Sequence, residues 1–159
     1  MQRPPSSKGR PAPSPAARAL RLLARRDHTR LELARKLAPH IEDDAELQAL
    51  LDDFTARGWL SEGRVVAELV RAQRARLGPA RIRQVLLQKG VAEDLIAPAI
   101  LDLKATELEA ARAVWTRKFK TPPQTAAERA RHVRFLQARG FSVGIALRVT
   151  RGRGSDDGD

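Results

Sequence analysis

Apolar residues return every three or four positions along most of this chain, and the intervals between them hold residues that start and stop helices. The stretch 77–91, Leu-Gly-Pro-Ala-Arg-Ile-Arg-Gln-Val-Leu-Leu-Gln-Lys-Gly-Val, predicts a short helix with both ends marked. Gly78 is expected to take the positive φ that ends the helix before it. Pro79 has its φ preset for a first turn, and Gly90 offers the turn position behind Lys89. Ile82, Val85 and Leu86 fall on one side of the wheel, while Arg81, Arg83, Gln84 and Gln88 fan across the rest. One face packs and the other is basic.

The same punctuation runs ahead of this stretch. Leu20, Leu22 and Leu23 sit among Arg18, Arg21, Arg25 and Arg26, as in an amphipathic helix over 16–26, which Asp27 and His28 break. Thr29 and Glu32 form a capping-box pattern for a second helix that Pro39 stops after Ala38. Asp43 and Asp44 start a third, with Leu47, Leu50, Leu51 and Phe54 on its apolar face and Gly58 at its end. Ser61 and Glu62 open a fourth; Val65, Val66, Leu69 and Val70 form its buried stripe, and Arg71, Arg74 and Arg76 point elsewhere.

Behind the opening stretch the signals conflict. Ala92 is a poor cap and Pro98 lacks a donor, so the helix carrying Leu95, Ile100 and Leu101 starts late or kinks near Pro98. Thr106 and Glu109 offer a capping box inside a pattern that continues from Ala99 to Phe119, which fits one bent helix or two abutting ones. After the loop Thr121-Pro122-Pro123, Thr125 and Glu128 cap a helix with Val133, Phe135 and Leu136 on its apolar side, and Gly140 closes it. Phe141, Val143, Ile145 and Leu147 predict a last short helix.

A shift of 50 residues aligns Ala38-Pro39-His40-Ile41 with Gln88-Lys89-Gly90-Val91 and Ala138-Arg139-Gly140-Phe141. The starts at Thr29, Gly78 and Thr125 are nearly in phase, and the pair Leu86 and Leu87 has its counterpart in Phe135 and Leu136. The expected fold is therefore all-α, an elongated array of three tandem three-helix repeats at 15–58, 59–103 and 104–150. A basic, Pro-rich arm over 1–14 and a Gly/Asp tail over 151–159 are expected to be disordered.

Charge sharpens this picture. Thirty Lys and Arg against nineteen Asp and Glu leave a net +11, which makes an anionic partner, nucleic acid first, the default expectation. Arg outnumbers Lys 24 to 6, so part of this charge also fits ordinary solvated surface under a GC-rich coding bias. The absence of Cys excludes disulfides and thiolate chemistry and fits a reducing cytoplasm. No run approaches the roughly 18 apolar residues of a membrane span.

Catalytic constellations are missing from the pattern. His28, His40 and His132 have no paired metal-ligand spacing, and each reads as a helix-end or surface residue. No phosphate-cradling glycine motif occurs, and the pairs Asp43-Asp44 and Asp52-Asp53 point about 100° apart on a helix, as caps and solvated face do. Trp59, Trp115, Phe54, Phe119, Phe135 and Phe141 mostly hold apolar positions and read as core rather than as base-stacking platforms. No metal, cofactor or enzymatic activity is expected.

Three segments nevertheless carry a resemblance. Gly78-Pro79-Ala80-Arg81-Ile82-Arg83-Gln84 with Leu86 and Gln88-Lys89-Gly90 resembles the central motif of the RecX family, regulators of the RecA recombinase. Arg25-Arg26-Asp27-His28-Thr29 with Glu32-Leu33 and Lys36-Leu37 is similar to that family's first repeat, and Arg134-Phe135-Leu136 with Arg139-Gly140-Phe141 to the end of its third. The match covers roughly residues 16–150. This chain departs from the pattern in having Ser61-Glu62 and Val65 after the first repeat, and Val85 where an acid usually precedes the Leu.

The resemblance implies a non-enzymatic, cytoplasmic protein that binds RecA filaments and inhibits their ATPase, filament extension and strand exchange in recombinational repair and the SOS response. Candidate contacts with the filament or with phosphates are Arg71, Arg74, Arg76, Arg81, Arg83, Lys89, Arg131, Arg134 and Arg139. Thr29, Glu32, Gly78, Pro79, Ile82, Leu86, Gly90, Phe135, Leu136 and Gly140 are the structural motif positions. A monomer with weak, non-specific affinity for single- or double-stranded DNA is expected. The alternative that charge and repetition leave open is a sequence-independent nucleic-acid-binding protein of tandem helical units that acts without the recombinase.

Overall fold

A computed structural model describes residues 9–151. The first eight residues of the expected basic arm and the expected tail from 152 onward lie outside the described residues. Among the described residues there are nine α-helices and no strand, in chain order α1 (Pro15–Arg25), α2 (Arg30–Leu37), α3 (Asp44–Ala56), α4 (Glu62–Gln73), α5 (Pro79–Gln88), α6 (Glu93–Ala105), α7 (Glu107–Lys118), α8 (Ala126–Ala138) and α9 (Val143–Thr150). A short 3₁₀ turn, Ala38–His40, follows α2 where Pro39 breaks the helix. The chain divides into two compact units, residues 1–60 and 61–159.

The first unit holds one core. Ala19 of α1, Leu33 and Leu37 of α2, and Leu47, Leu51 and Phe54 of α3 close it, and Ile41 and Leu60 join from the connecting segments. Ser14 caps α1 one residue earlier than the periodicity suggests, with its hydroxyl accepting from the Ala17 amide, and Pro15 takes the first turn. Thr29 and Glu32 form a complete capping box on α2. His28, expected at a helix end or on the surface, precedes that box but is buried. Its Nδ1–H donates to the Arg26 carbonyl at 2.9 Å, and its Nε2 accepts from Lys36 Nζ at 3.0 Å. Trp59 departs from the expected core role: it is 42% exposed, edge-on to Phe54 and beneath the Arg57 guanidinium.

The second unit holds two cores. Val66 of α4, Ile82 and Leu86 of α5, Ile96, Ile100 and Leu103 of α6, and Val91 between them form one. Ala111 and Val114 of α7, Val133 and Leu136 of α8, Ala146 and Val149 of α9, and Phe141 form the other. Helix α6 begins at Glu93 despite the weak cap Ala92 and carries Pro98 in its interior. Glu93 and Asp94 in its first turn favour the start by facing the positive end of the helix dipole.

Two abutting helices, rather than one bent helix, occupy 93–118. Thr106 makes no side-chain cap. Glu107 instead turns its buried carboxylate to accept from the Ser142 amide at 2.7 Å, which ties α7 to the start of α9. In α9 the buried residues are Ala146, Val149 and Thr150; Val143, expected to pack, is 53% exposed.

Gly78 corrects another expectation. Its φ is −80° with ψ 170°, extended backbone that any residue adopts, so no left-handed turn requires glycine there. The requirement comes from a neighbour. A Cβ on Gly78 would lie 2.4 Å from the carbonyl carbon and oxygen of Gly140 and 2.5 Å from the Phe141 nitrogen. Gly140 does take a left-handed φ of 95°, and a Cβ there would lie 2.4 Å from Arg81 Cβ. The ends of α5 and α8 thus meet through two glycines, with the Gly78 amide donating to the Arg139 carbonyl at 2.7 Å and the Ala80 amide to the Gly140 carbonyl at 3.1 Å.

The ends of α5 and α8 also repeat each other. Val91 donates to Leu86 and Phe141 to Leu136, each at 3.1 Å, behind Gly90 and Gly140, the double hydrogen bond that commonly ends a helix. This register makes Leu86 equivalent to Leu136 and Val85 to Phe135, one residue from the pairing of Leu86 and Leu87 with Phe135 and Leu136. Leu87 is 48% exposed as a result.

Candidate functional site

Helix α5 carries its motif residues as the pattern requires: Ile82 and Leu86 are fully buried, and Arg81 faces solvent. Several of the nine candidate cations are already engaged. Arg83 meets Glu93 through both terminal guanidinium nitrogens at 2.5 and 2.7 Å, and this hydrogen bonding raises the Arg83 pKa. Arg81 donates to the Gln84 amide oxygen at 2.7 Å, and Arg71 pairs with Glu68 at 2.7 Å one turn away. Exposed pairs of this kind are screened by water and contribute little, so they bear on which cations are available more than on stability.

Lys89 and Arg139 occupy equivalent C-cap positions of α5 and α8. Arg131 and Arg134 are exposed on α8. Arg74 ends α4 and lines a largely apolar cavity of about 380 Å³ against Val66, Val70, Leu95 and Pro98. Arg74 thus lines a different cavity from the one that Arg76 and Arg139 share.

Two of the nine candidates converge. Arg76, in the turn after α4, and Arg139, at the end of α8, line a cavity of about 400 Å³ together with Val114, Arg117, Lys118 and Phe135. Arg117 reaches across to donate to the Ala75 carbonyl, holding the C-terminal end of α7 against that turn. Lys118 Nζ lies 5.8 Å and the Arg139 guanidinium carbon 5.1 Å from the centre of the Phe135 ring, within cation–π range. No carboxylate lines this cavity.

Sequence reasoning missed Arg117 and Lys118. The run Arg117-Lys118-Phe119-Lys120 at the end of α7 was the available signal, but it does not reveal that Arg76 and Arg139 stand opposite.

Behind Phe135 lies a cluster of rings. Phe119 packs edge-on to Phe135 at 5.3 Å and stacks on His132 at 3.6 Å, and the Trp115 indole N–H donates to His132 Nδ1 at 3.1 Å. His132 is thus a buried histidine in the middle of α8, not the helix-end or surface residue expected. Burial lowers its pKa, and the nearby Arg131 adds to the effect. A neutral ring with Nδ1 free to accept is the form this bond needs. Phe119 is the member of this cluster that touches Phe135.

Comparison with known proteins bears on the whole chain. Family models described as RecX, second three-helix domain, and RecX, third three-helix domain, match residues 61–100 and 105–150. The chain is 53% identical to the regulatory protein RecX of Leptothrix cholodnii over 89% of its own length and 90% of that protein's. To the regulatory protein RecX of Ralstonia nicotianae it is 44% identical, over 90% and 91% of the two chains. Among solved structures, the crystal structure of a regulatory protein RecX superposes with a TM-score of 0.75 at 21% identity, covering 87% of this chain and 72% of that one. That of RecX from Lactobacillus salivarius gives 0.75 at 17%, covering 86% and 92%.

Proposed function

The chain belongs to the RecX family of regulatory proteins, and from that premise we propose that it binds the RecA recombinase filament and inhibits its ATPase, filament extension and strand exchange. The observation that carries this reading is the 53% identity, over nearly the full length of both chains, to a protein named as a RecX regulator. Regulation of this kind acts by binding, without a catalytic step of this chain's own, and in the cytoplasm where the recombinase works.

In this reading the basic positions of equivalent helices form part of the contact surface: Arg81, Arg83 and Lys89 of the α5 segment, and Arg131, Arg134 and Arg139 of the α8 segment. Arg83 would trade its exposed pair with Glu93 for a partner carboxylate, an exchange of like for like that costs little. The net charge of +11 adds a non-specific affinity for DNA that weakens steeply with salt.

The test is the single-stranded-DNA-dependent ATPase rate of the cognate recombinase at moderate salt, with this protein added well below stoichiometry. A progressive fall supports filament regulation. If the rate holds until the protein is abundant enough to coat the DNA, competition for the lattice accounts for any effect and the reading fails.

A further inference from the structure

Four cations from three separate segments meet around one cavity, and none of them is neutralised there. Arg76 comes from the turn after α4, Arg117 and Lys118 from the end of α7, and Arg139 from the end of α8. Among the described residues none of the four forms an ion pair with a carboxylate, whereas Arg26, Arg30, Arg57, Arg71 and Arg83 all do. Converging like charges repel one another, so leaving them without an acid has a cost that a bound anion would remove.

The cavity is also organised to present these charges. Arg117 uses one donor on the Ala75 carbonyl, which leaves the rest of its fork available and fixes its direction. Phe135 is a platform for Lys118 and Arg139 and is itself held by Phe119. It is the sole aromatic residue in the lining, and with two cations already against it the cavity presents charge in preference to a stacking surface.

We propose that the cavity bounded by Arg76, Arg117, Lys118 and Arg139 is a phosphate site that seats the backbone of a nucleic-acid strand. Several cations in about 400 Å³ suit consecutive phosphodiesters, which carry one negative charge per step along a strand, better than a single carboxylate, which would neutralise only one of them. Contacts of this kind position a strand without reading its sequence. The site stands on its own geometry and does not depend on the recombinase reading.

The experiment uses the full chain and no recombinase. Binding of a fluorescein-labelled oligothymidylate is followed by anisotropy across a salt series for Arg76→Gln, Lys118→Gln and Arg139→Gln, with Lys104→Gln and Arg129→Gln as exposed controls away from the cavity. Each cavity variant is expected to weaken binding about five-fold and to lower the slope of log affinity against log salt by about 0.7, while the controls stay within about two-fold. Lys118→Arg, which keeps the charge, is expected to retain affinity, and circular dichroism melts establish that the variants fold. Equal losses in cavity and control variants would overturn the proposal in favour of diffuse surface charge. So would displacement of the oligonucleotide by polyglutamate at a lower charge concentration than by unlabelled DNA, which would assign the cavity to an acidic peptide. Displacement by inorganic phosphate at concentrations where sulfate has no effect would assign it to a free ion rather than a strand.

Discussion

Helices α2 and α5 hold equivalent places in successive repeats, yet their N-termini are satisfied in opposite ways. α2 uses its own side chains: Thr29 accepts from the Glu32 amide at 3.1 Å, and Glu32 reaches back to the Thr29 amide. α5 has no side-chain cap. Its first donors go to the Arg139 and Gly140 carbonyls at the end of α8. Helix α8, in the third repeat, returns to the local solution, with Thr125 accepting from the Glu128 amide at 3.1 Å. A residue type that looks like a weakness within its own helix is thus the one that lets another backbone approach.

The sharpest way to break this comparison is to give α5 the cap that its own sequence lacks. By the rules of an isolated helix Gly78→Ser gains stability. Here it is expected to destabilise residues 61–151 by about 3 kcal/mol, because the new Cβ would meet the Gly140 carbonyl at 2.4 Å and backbone cannot move aside as a flexible side chain does. Urea unfolding followed by circular dichroism gives the value; a neutral or stabilising result would mean that the approach of α8 does not constrain this position.

A smaller effect follows at the locally capped helix. Thr29→Ala is expected to cost about 1 kcal/mol in the same measurement, the usual loss when a capping hydroxyl is removed. A cost as large as that of Gly78→Ser would erase the distinction between the two ends.

Acidification sharpens the contrast further, since His28 sits just before the α2 cap and Leu77 holds the matching place before Gly78. Burial lowers the His28 pKa first of all, and the positive charges of Arg26 and Lys36 lower it further. A base whose folded pKa lies below its unfolded value of about 6.5 binds fewer protons folded than unfolded. Its contribution is complete above pH 6.5 and is lost as pH falls below it. His132 has the same sign in the third repeat. The urea midpoint is therefore expected to drop between pH 7.5 and 5.5, and a His28→Gln, His132→Gln protein to show a flatter profile; a midpoint that does not change over that range would remove both histidines from the account. In a Trp59→Phe background, Trp115 emission should hold until the pH falls below the ordinary imidazole range, because the lowered His132 pKa keeps its acceptor neutral to more acidic pH.

What could be read from the chain alone follows from the range of each interaction. Helix starts at Thr29, Asp43, Ser61 and Thr125 were legible because capping is settled within three residues, and Ile82, Leu86 and Leu136 because the period of a helix places them on one face. The mistaken readings depended on distant partners. Gly78 is explained by Gly140 and the burial of His132 by Trp115 and Phe119. The site divides in the same way. Arg76 and Arg139 could be nominated from basic helix ends, but nothing local joins them to Arg117 and Lys118.

The meeting of Gly78 with Gly140 also bears on how residues 61–151 come apart. The positive end of α5 rests on the carbonyl end of α8, so the opposite partial charges of the two helix ends favour each other. Neither end is complete unless its neighbour is folded. The second and third repeats are thereby coupled as adjacent sites in a one-dimensional array, and melting either one exposes unpaired backbone on the other. The Gly78 and Ala80 amides report this coupling: in native-state hydrogen exchange they should open with the third repeat, whereas the Glu32 amide, held by Thr29, should open with α2 alone.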